Sequence, residues 1–222
     1  MRYMPDLWRW KGAFLGLGLL LAASGPALAD GEAAGDFDYF VAALSWSATW
    51  CDLEGAARGE PQCDAGRGIT FVLHGLWPQY ETGWPTYCRT REHDPSRGDT
   101  AAAADVFGGA GAAFYQWKKH GRCAGLSAPA FYAKARRVRE AIVIPKVFAQ
   151  INRRLEVPAS VVEGAFIEAN PGLKPDMITI TCNQGMIEEV RICLTPDLAP
   201  RRCGEDTLRD CTLKDAVLLP LR

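Results

Sequence analysis

Histidine is scarce in this sequence, with three in 222 residues at positions 74, 93 and 120. The chain has no CxxC pair, so the usual spacing of a structural zinc site is missing. No internal repeat and no interdomain linker stands out. After residue 29 there is no second long apolar run, and therefore no candidate membrane span in the body of the chain. Basic excess is absent as well: the formal net charge is −1. That excludes the electrostatic footprint of a tight duplex binder. A polyanionic substrate would have to be held by a local patch and by stacking.

What is present begins with an export signal. Arg2, Arg9 and Lys11 precede the apolar stretch GAFLGLGLLLAASGPALA, and Ala27-Leu28-Ala29 fits the small-residue rule for signal peptidase. Cleavage after Ala29 is expected, leaving residues 30–222 as one exported domain, periplasmic or extracellular. Removing residues 1–29 takes away those three bases and Asp6, so the net charge becomes −3. With 48% hydrophobic and 23% charged residues, the composition is globular and the chain long enough for one sizeable core. All eight cysteines (51, 63, 88, 123, 182, 193, 203 and 211) lie in the mature part. An even count in an exported chain predicts four disulfides, but 105 pairings are open to eight cysteines.

The nearly continuous apolar run 37–46 predicts a strand covered on both faces. A second strand is expected over 68–75, ending as it delivers His74 into Gly75-Leu76-Trp77-Pro78. Residues 79–106 read as a long connection. A helix is predicted from about Gly109 to Gly121, with Phe114 and Trp117 inward. Another opens at Ser127 and buries Phe131, Ala135, Val138 and Ile142, with Lys134, Arg136, Arg137 and Arg139 as a solvated face. A third runs from Pro158 to about Ala169. Strands 177–182 and 187–194, joined by Asn183-Gln184-Gly185, predict a hairpin. Together these elements give an α+β fold, a single domain in which helices pack on an antiparallel sheet.

His93 lies in a polar loop and reads as solvated. His120 closes the stretch AAFYQWKKHGRC, in which Gln116 and His120 share a helical face and Tyr115 and Lys119 lie alongside. The plain reading of such a face is solvation, and a lone histidine at a strand end is more often structural than catalytic. Two histidines on neighbouring elements change that balance. Their ordinary pKa of about 6.5 suits one as base and the other as acid. A lysine suits a developing phosphorane charge, and a tryptophan a stacked base. This set fits attack of an RNA 2′-hydroxyl on its adjoining phosphate, a reaction that needs no metal.

HGLWP at 74–78 and QWKKHGRC at 116–123 resemble the two catalytic segments of the ribonuclease T(2) family of secreted endoribonucleases. LSWSATWC and CNQGMIEEVRICL are similar to that family's opening strand and closing hairpin. The resemblance implies His120 as general base, His74 as general acid and Lys119 as the stabilising cation, with Trp77 stacking on the base. It implies bridges 51–63, 88–123, 182–211 and 193–203. It further implies single-stranded RNA as substrate, no DNA cleavage, no cofactor or metal, and low base specificity. A monomer without membrane attachment after signal removal is expected. Three positions depart from the family pattern. Gln116 replaces a glutamate and Tyr115 a histidine, both of which assist phosphate handling, and Gln79 replaces an acidic residue linked to base preference. A catalytically weak RNA-binding or effector relative is the alternative. A metallohydrolase using both histidines is weaker, because no carboxylate accompanies either in sequence.

Overall fold

The computed structural model describes residues 31–222. The expected signal segment lies outside the described residues. In chain order, the α-helices are α1 (Ser47–Trp50), α2 (Arg97–Ala102), α3 (Ala104–Phe107), α4 (Ala110–Lys119), α5 (Ala128–Ala141) and α6 (Ala159–Ala169). The strands are β1 (Tyr39–Trp46), β2 (Phe71–Gln79), β3 (Leu155–Val157), β4 (Ile178–Asn183), β5 (Met186–Leu194) and β6 (Ala216–Leu218). Together they form the single-domain α+β architecture that the sequence predicts.

The sheet runs β2-β1-β5-β6-β3, with β4 also paired to β5. Strand β1 is fully buried and lies between β2 and β5, as its unbroken apolar run requires. One pairing departs from the antiparallel expectation: β5 meets β6 in parallel at Met186 and Val217. Its cause is the return path of the C-terminal segment. Cys211 is tied to Cys182 on β4, and Val217 N–H then donates to the Gly185 carbonyl at the β4–β5 turn. That turn has Gln184 and Gly185 at φ 50° and 79°, the left-handed pair of a two-residue type I′ hairpin.

Side-chain alternation gives the sheet two different faces. Phe40, Ala42 and Leu44 of β1, with Val190, Ile192 and Leu194 of β5, point into the core. There they meet Phe131, Ala135 and Val138 of α5 and Val162 and Phe166 of α6. Trp46, Phe71, Phe148 and Phe166 pack as an aromatic cluster, with ring centroids 5.0–5.9 Å apart. Helix α5 thus buries the stripe read from its sequence, and α6 buries Ala159, Val162 and Phe166. The predicted connection 79–106 instead contains α2, opened by a Ser96–Asp99 capping box.

Two local expectations are corrected. Phe114 is exposed, and the buried stripe of α4 and its C-cap is Ala113, Gln116, Trp117 and His120. The i, i+3, i+4, i+7 pattern is hard to see in the sequence because two of its four members are polar. Strand β2 does not stop at His74 but continues to Gln79. The four disulfides join Cys51–Cys63, Cys88–Cys123, Cys182–Cys211 and Cys193–Cys203.

Candidate active site

On β2, Leu73 pairs with Leu44 and Gly75 with Ala43, so His74 is an extra residue in the ladder. This β-bulge reverses the phase of the strand. Before it, Phe71 and Leu73 face the core; after it, Leu76 does. Val72, His74, Trp77 and Gln79 consequently share the other face, where they line a cleft of about 950 Å³. In an unbroken strand His74 and Trp77, three residues apart, would point to opposite sides. Here their rings stand edge-on with centroids 5.2 Å apart. Gly75 is required at this place, because a side chain would collide with the Trp77 indole nitrogen and the Gln116 carbonyl.

Helix α4 supplies the facing wall. Its C-terminus is pinned twice: Tyr87 N–H donates to the Lys119 carbonyl at 2.8 Å, and Cys88–Cys123 ties the following turn. His120 caps the helix and is only 7% exposed, so it is buried rather than solvated. Its ring lies 5.4 Å from that of Trp77. The His120 Nδ1 is buried with no hydrogen-bond partner. Burial, together with the charges of Lys119 and His74, pushes the His120 pKa down to about 3. In the free protein His120 is therefore neutral at mildly acidic and neutral pH.

His74 has the opposite environment. Its side chain is 44% exposed, and Nδ1–H donates to Glu189 Oε1 at 2.5 Å. Because the carboxylate only accepts, the proton sits on Nδ1. Glu189 is buried, and Ser45 Oγ–H donates to the same oxygen at 3.2 Å. Arg191 binds the other oxygen through Nε and Nη2 at 2.8 and 2.7 Å. Burial alone would raise the Glu189 carboxyl, but the His74 hydrogen bond and charge and the Arg191 guanidinium outweigh it and hold the pKa at about 2.

The remaining predicted residues fall around this pair. Trp77 donates its indole N–H to the buried Gln116 carbonyl at 2.9 Å and carries the Arg191 guanidinium 5.4 Å from its ring centre. Gln116 thus holds Trp77, a task that its position on a helix face does not disclose. Lys119 lies 5.8 Å from the centre of the Tyr115 ring, and among the described residues it has no carboxylate partner. Tyr115 is half exposed at the cleft. Gln79 is buried at the end of β2, where its amide donates to the Pro78 carbonyl. His93 is exposed, away from the cleft lining.

Sequence reasoning misses Glu189, Arg191 and Ser45, and it leaves Trp84, 56% exposed at the cleft, in an undefined connection. Two adjacent acids inside an apolar strand, Glu188-Glu189, are the available signal for the first. Among the described residues, no group of three or more His, Cys, Asp or Glu side chains is placed to hold a metal ion. No described helix is long and apolar enough to cross a membrane.

A ribonuclease of Aeromonas hydrophila is 41% identical over 126 residues, covering 56% of this chain and 55% of that protein. Ribonuclease I of Escherichia coli (strain K12) is 27% identical over 239 residues, covering 87% and 88%. The chain spans about half the length of several curated relatives that it matches. Among solved structures, RNase NT in complex with 5′-AMP has the same fold, with a TM-score of 0.62 at 24% identity over 84% of this chain and 100% of that one. Residues 37–203 match the model of the Ribonuclease T2 family, and to that family this chain belongs.

Proposed function

We propose that this protein is an endoribonuclease that cleaves single-stranded RNA without a metal and with low base specificity. The observation that carries this reading is one pair of imidazoles in unlike environments. His120 is buried and neutral, His74 is exposed and bound to a carboxylate, and both rings lie against the Trp77 indole.

In the first step His120 takes the proton of the 2′-hydroxyl, whose oxygen attacks the neighbouring phosphorus. The bond to the 5′-oxygen breaks as His74 gives that oxygen a proton. Since Glu189 holds Nδ1, this proton comes from Nε2. The products are a 2′,3′-cyclic phosphate and a free 5′-hydroxyl. Hydrolysis reverses the roles: His74 takes a proton from water, which opens the ring, and His120 returns its proton to the 2′-oxygen, leaving a 3′-phosphate. Lys119, free of any described carboxylate, offsets the charge of the pentacovalent state. The aromatic surfaces at the cleft, Trp77 and Trp84, take unstacked bases, which favours single strands. Gln116 and Tyr115 supply neutral donors where the family has ionisable groups. Four disulfides and the signal-like N-terminus support export to the periplasm or cell exterior, with no membrane anchor retained. The protein acts as a monomer and needs no cofactor.

The test incubates oxidised protein with single-stranded RNA in excess chelator and analyses the new ends. Cyclic phosphate ends formed under chelation support the mechanism. A need for added metal, or cleavage of the matching DNA, would overturn it, and binding without cleavage at any pH would support the effector alternative.

A further inference from the structure

The cleft leaves one strong group without a task in this mechanism, the buried carboxylate on β5. Burying an ion is costly unless its partners satisfy it fully. Arg191 alone could neutralise Glu189, and it occupies only Oε2. The other oxygen is given to His74, with Ser45 as a second donor. Glu189 and Ser45 are paired across the β5–β1 ladder, so the carboxylate stands on interior strands and cannot follow His74 if that ring swings. His74 is the bulge residue and has no ladder position of its own to orient it.

Resting on the function proposed above, we propose that Glu189 is a positioning residue: it fixes the His74 ring by Nδ1 and aims Nε2, which donates the proton, into the cleft. Arg191 is the second positioning residue. It keeps Glu189 ionised and, lying over the Trp77 ring, ties the carboxylate to the aromatic wall. The other charges facing His74 along the cleft are Lys119 and His120 from α4 and Glu188 from β5. Glu54, Arg58 and Glu60, from the segment after α1, and Asp206, from the segment before β6, lie on the same lining. Of these groups, only Glu189 bonds the His74 ring. A neutral amide at 189 would keep the shape and remove the charge, and since an amide can donate as well as accept, the His74 ring becomes free to change tautomer.

The experiment compares wild type with Glu189→Gln, and with Glu189→Asp as a charge-retaining variant should the amide fail to fold. It measures kcat and KM against pH on a dinucleoside phosphate, and the His74 ring by ¹⁵N NMR. For Glu189→Gln, kcat falls about ten- to a hundredfold, less than the 10²–10⁴ expected on losing the acid itself, with KM nearly unchanged. The His74 ring loses its single Nδ1–H tautomer in the ¹⁵N spectrum, and Glu189→Asp lies between the two. If a folded Glu189→Gln, or Glu189→Asp in its place, keeps the wild-type kcat and the wild-type His74 tautomer, the positioning role is wrong. Failure of the underlying function reads differently, because wild type would then not cleave RNA or His74→Ala would remain active. The ¹⁵N tautomer signal reports on Glu189 in either case.

Discussion

The indole N–H of Trp77 and the side-chain carbonyl of Gln116 meet at 2.9 Å, and that hydrogen bond joins the strand carrying His74 to the helix carrying His120. Gln116→Leu leaves the indole N–H without its partner at a partly buried place. Stability should fall by about 1–3 kcal/mol, the cost of an orphaned buried donor. KM should rise as Trp77 loses its setting. Urea denaturation and steady-state kinetics check both. Gln116→Glu keeps the acceptor and adds an anion beside His120. It should raise the His120 pKa, move the acid limb of kcat/KM to higher pH and increase turnover modestly.

His74→Ala and His120→Ala should each lower kcat by about 10²–10⁴. Their stabilities should differ. The His120 ring is buried, so its removal leaves a cavity and lowers the melting temperature, whereas the His74 ring is 44% exposed and leaves less of one. Equal melting temperatures would show that the His120 ring is not enclosed.

Acid should weaken the fold in two stages. The His120 pKa is about 3 when folded and near 6.5 when unfolded, so the unfolded chain binds the extra proton between these values. Stability therefore falls as pH drops from 6.5 toward 3, with a slope approaching about 1.4 kcal/mol per pH unit. Glu189 is held at about 2 against an ordinary 4.5, so a second loss adds below pH 4.5. Denaturation midpoints against pH should show the slope steepening there, and His120→Gln should remove the upper stage alone. In kinetics, the acid limb of kcat/KM should lie well below an ordinary imidazole value.

Reduction should act on the site as well as the fold. Four disulfides each typically add about 2–4 kcal/mol, a sum comparable to the stability of a whole domain. Cys88–Cys123 also seats the Tyr87 segment against the last turn of α4. Cys88→Ser/Cys123→Ser should lower both melting temperature and kcat, while Cys51→Ser/Cys63→Ser, bridging the loop after α1, should affect stability more than kcat.

Elements with simple periodicity are legible in the amino-acid order alone. The apolar run of β1, the stripe of α5 and the existence of a hairpin between β4 and β5 each follow from local pattern. His74, His120 and Lys119 are legible because the residue types suit one reaction. The bulge at His74 is not, because one unpaired residue leaves no mark in composition, so β2 looks shorter than it is. Glu189 is hidden for a different reason. A carboxylate in a strand looks solvated until its partner is known, and His74 lies 115 positions away in the chain. Gln116 and His120 read as an open face because polar side chains ordinarily seek water, yet both are buried.

The bulge has a further consequence for how the molecule fails. His74, Trp77 and Glu189 stand on hydrogen-bonded strands that flank β1, not on a flexible lid. Freeing Glu189 means breaking the ladder between interior strands, and freeing the wall that carries His74 and Trp77 means parting β2 from β1 over the core. No inexpensive partial opening disables the site while sparing the rest. On heating, turnover should keep rising until the cooperative unfolding transition and vanish with it, so residual activity reports the folded fraction directly.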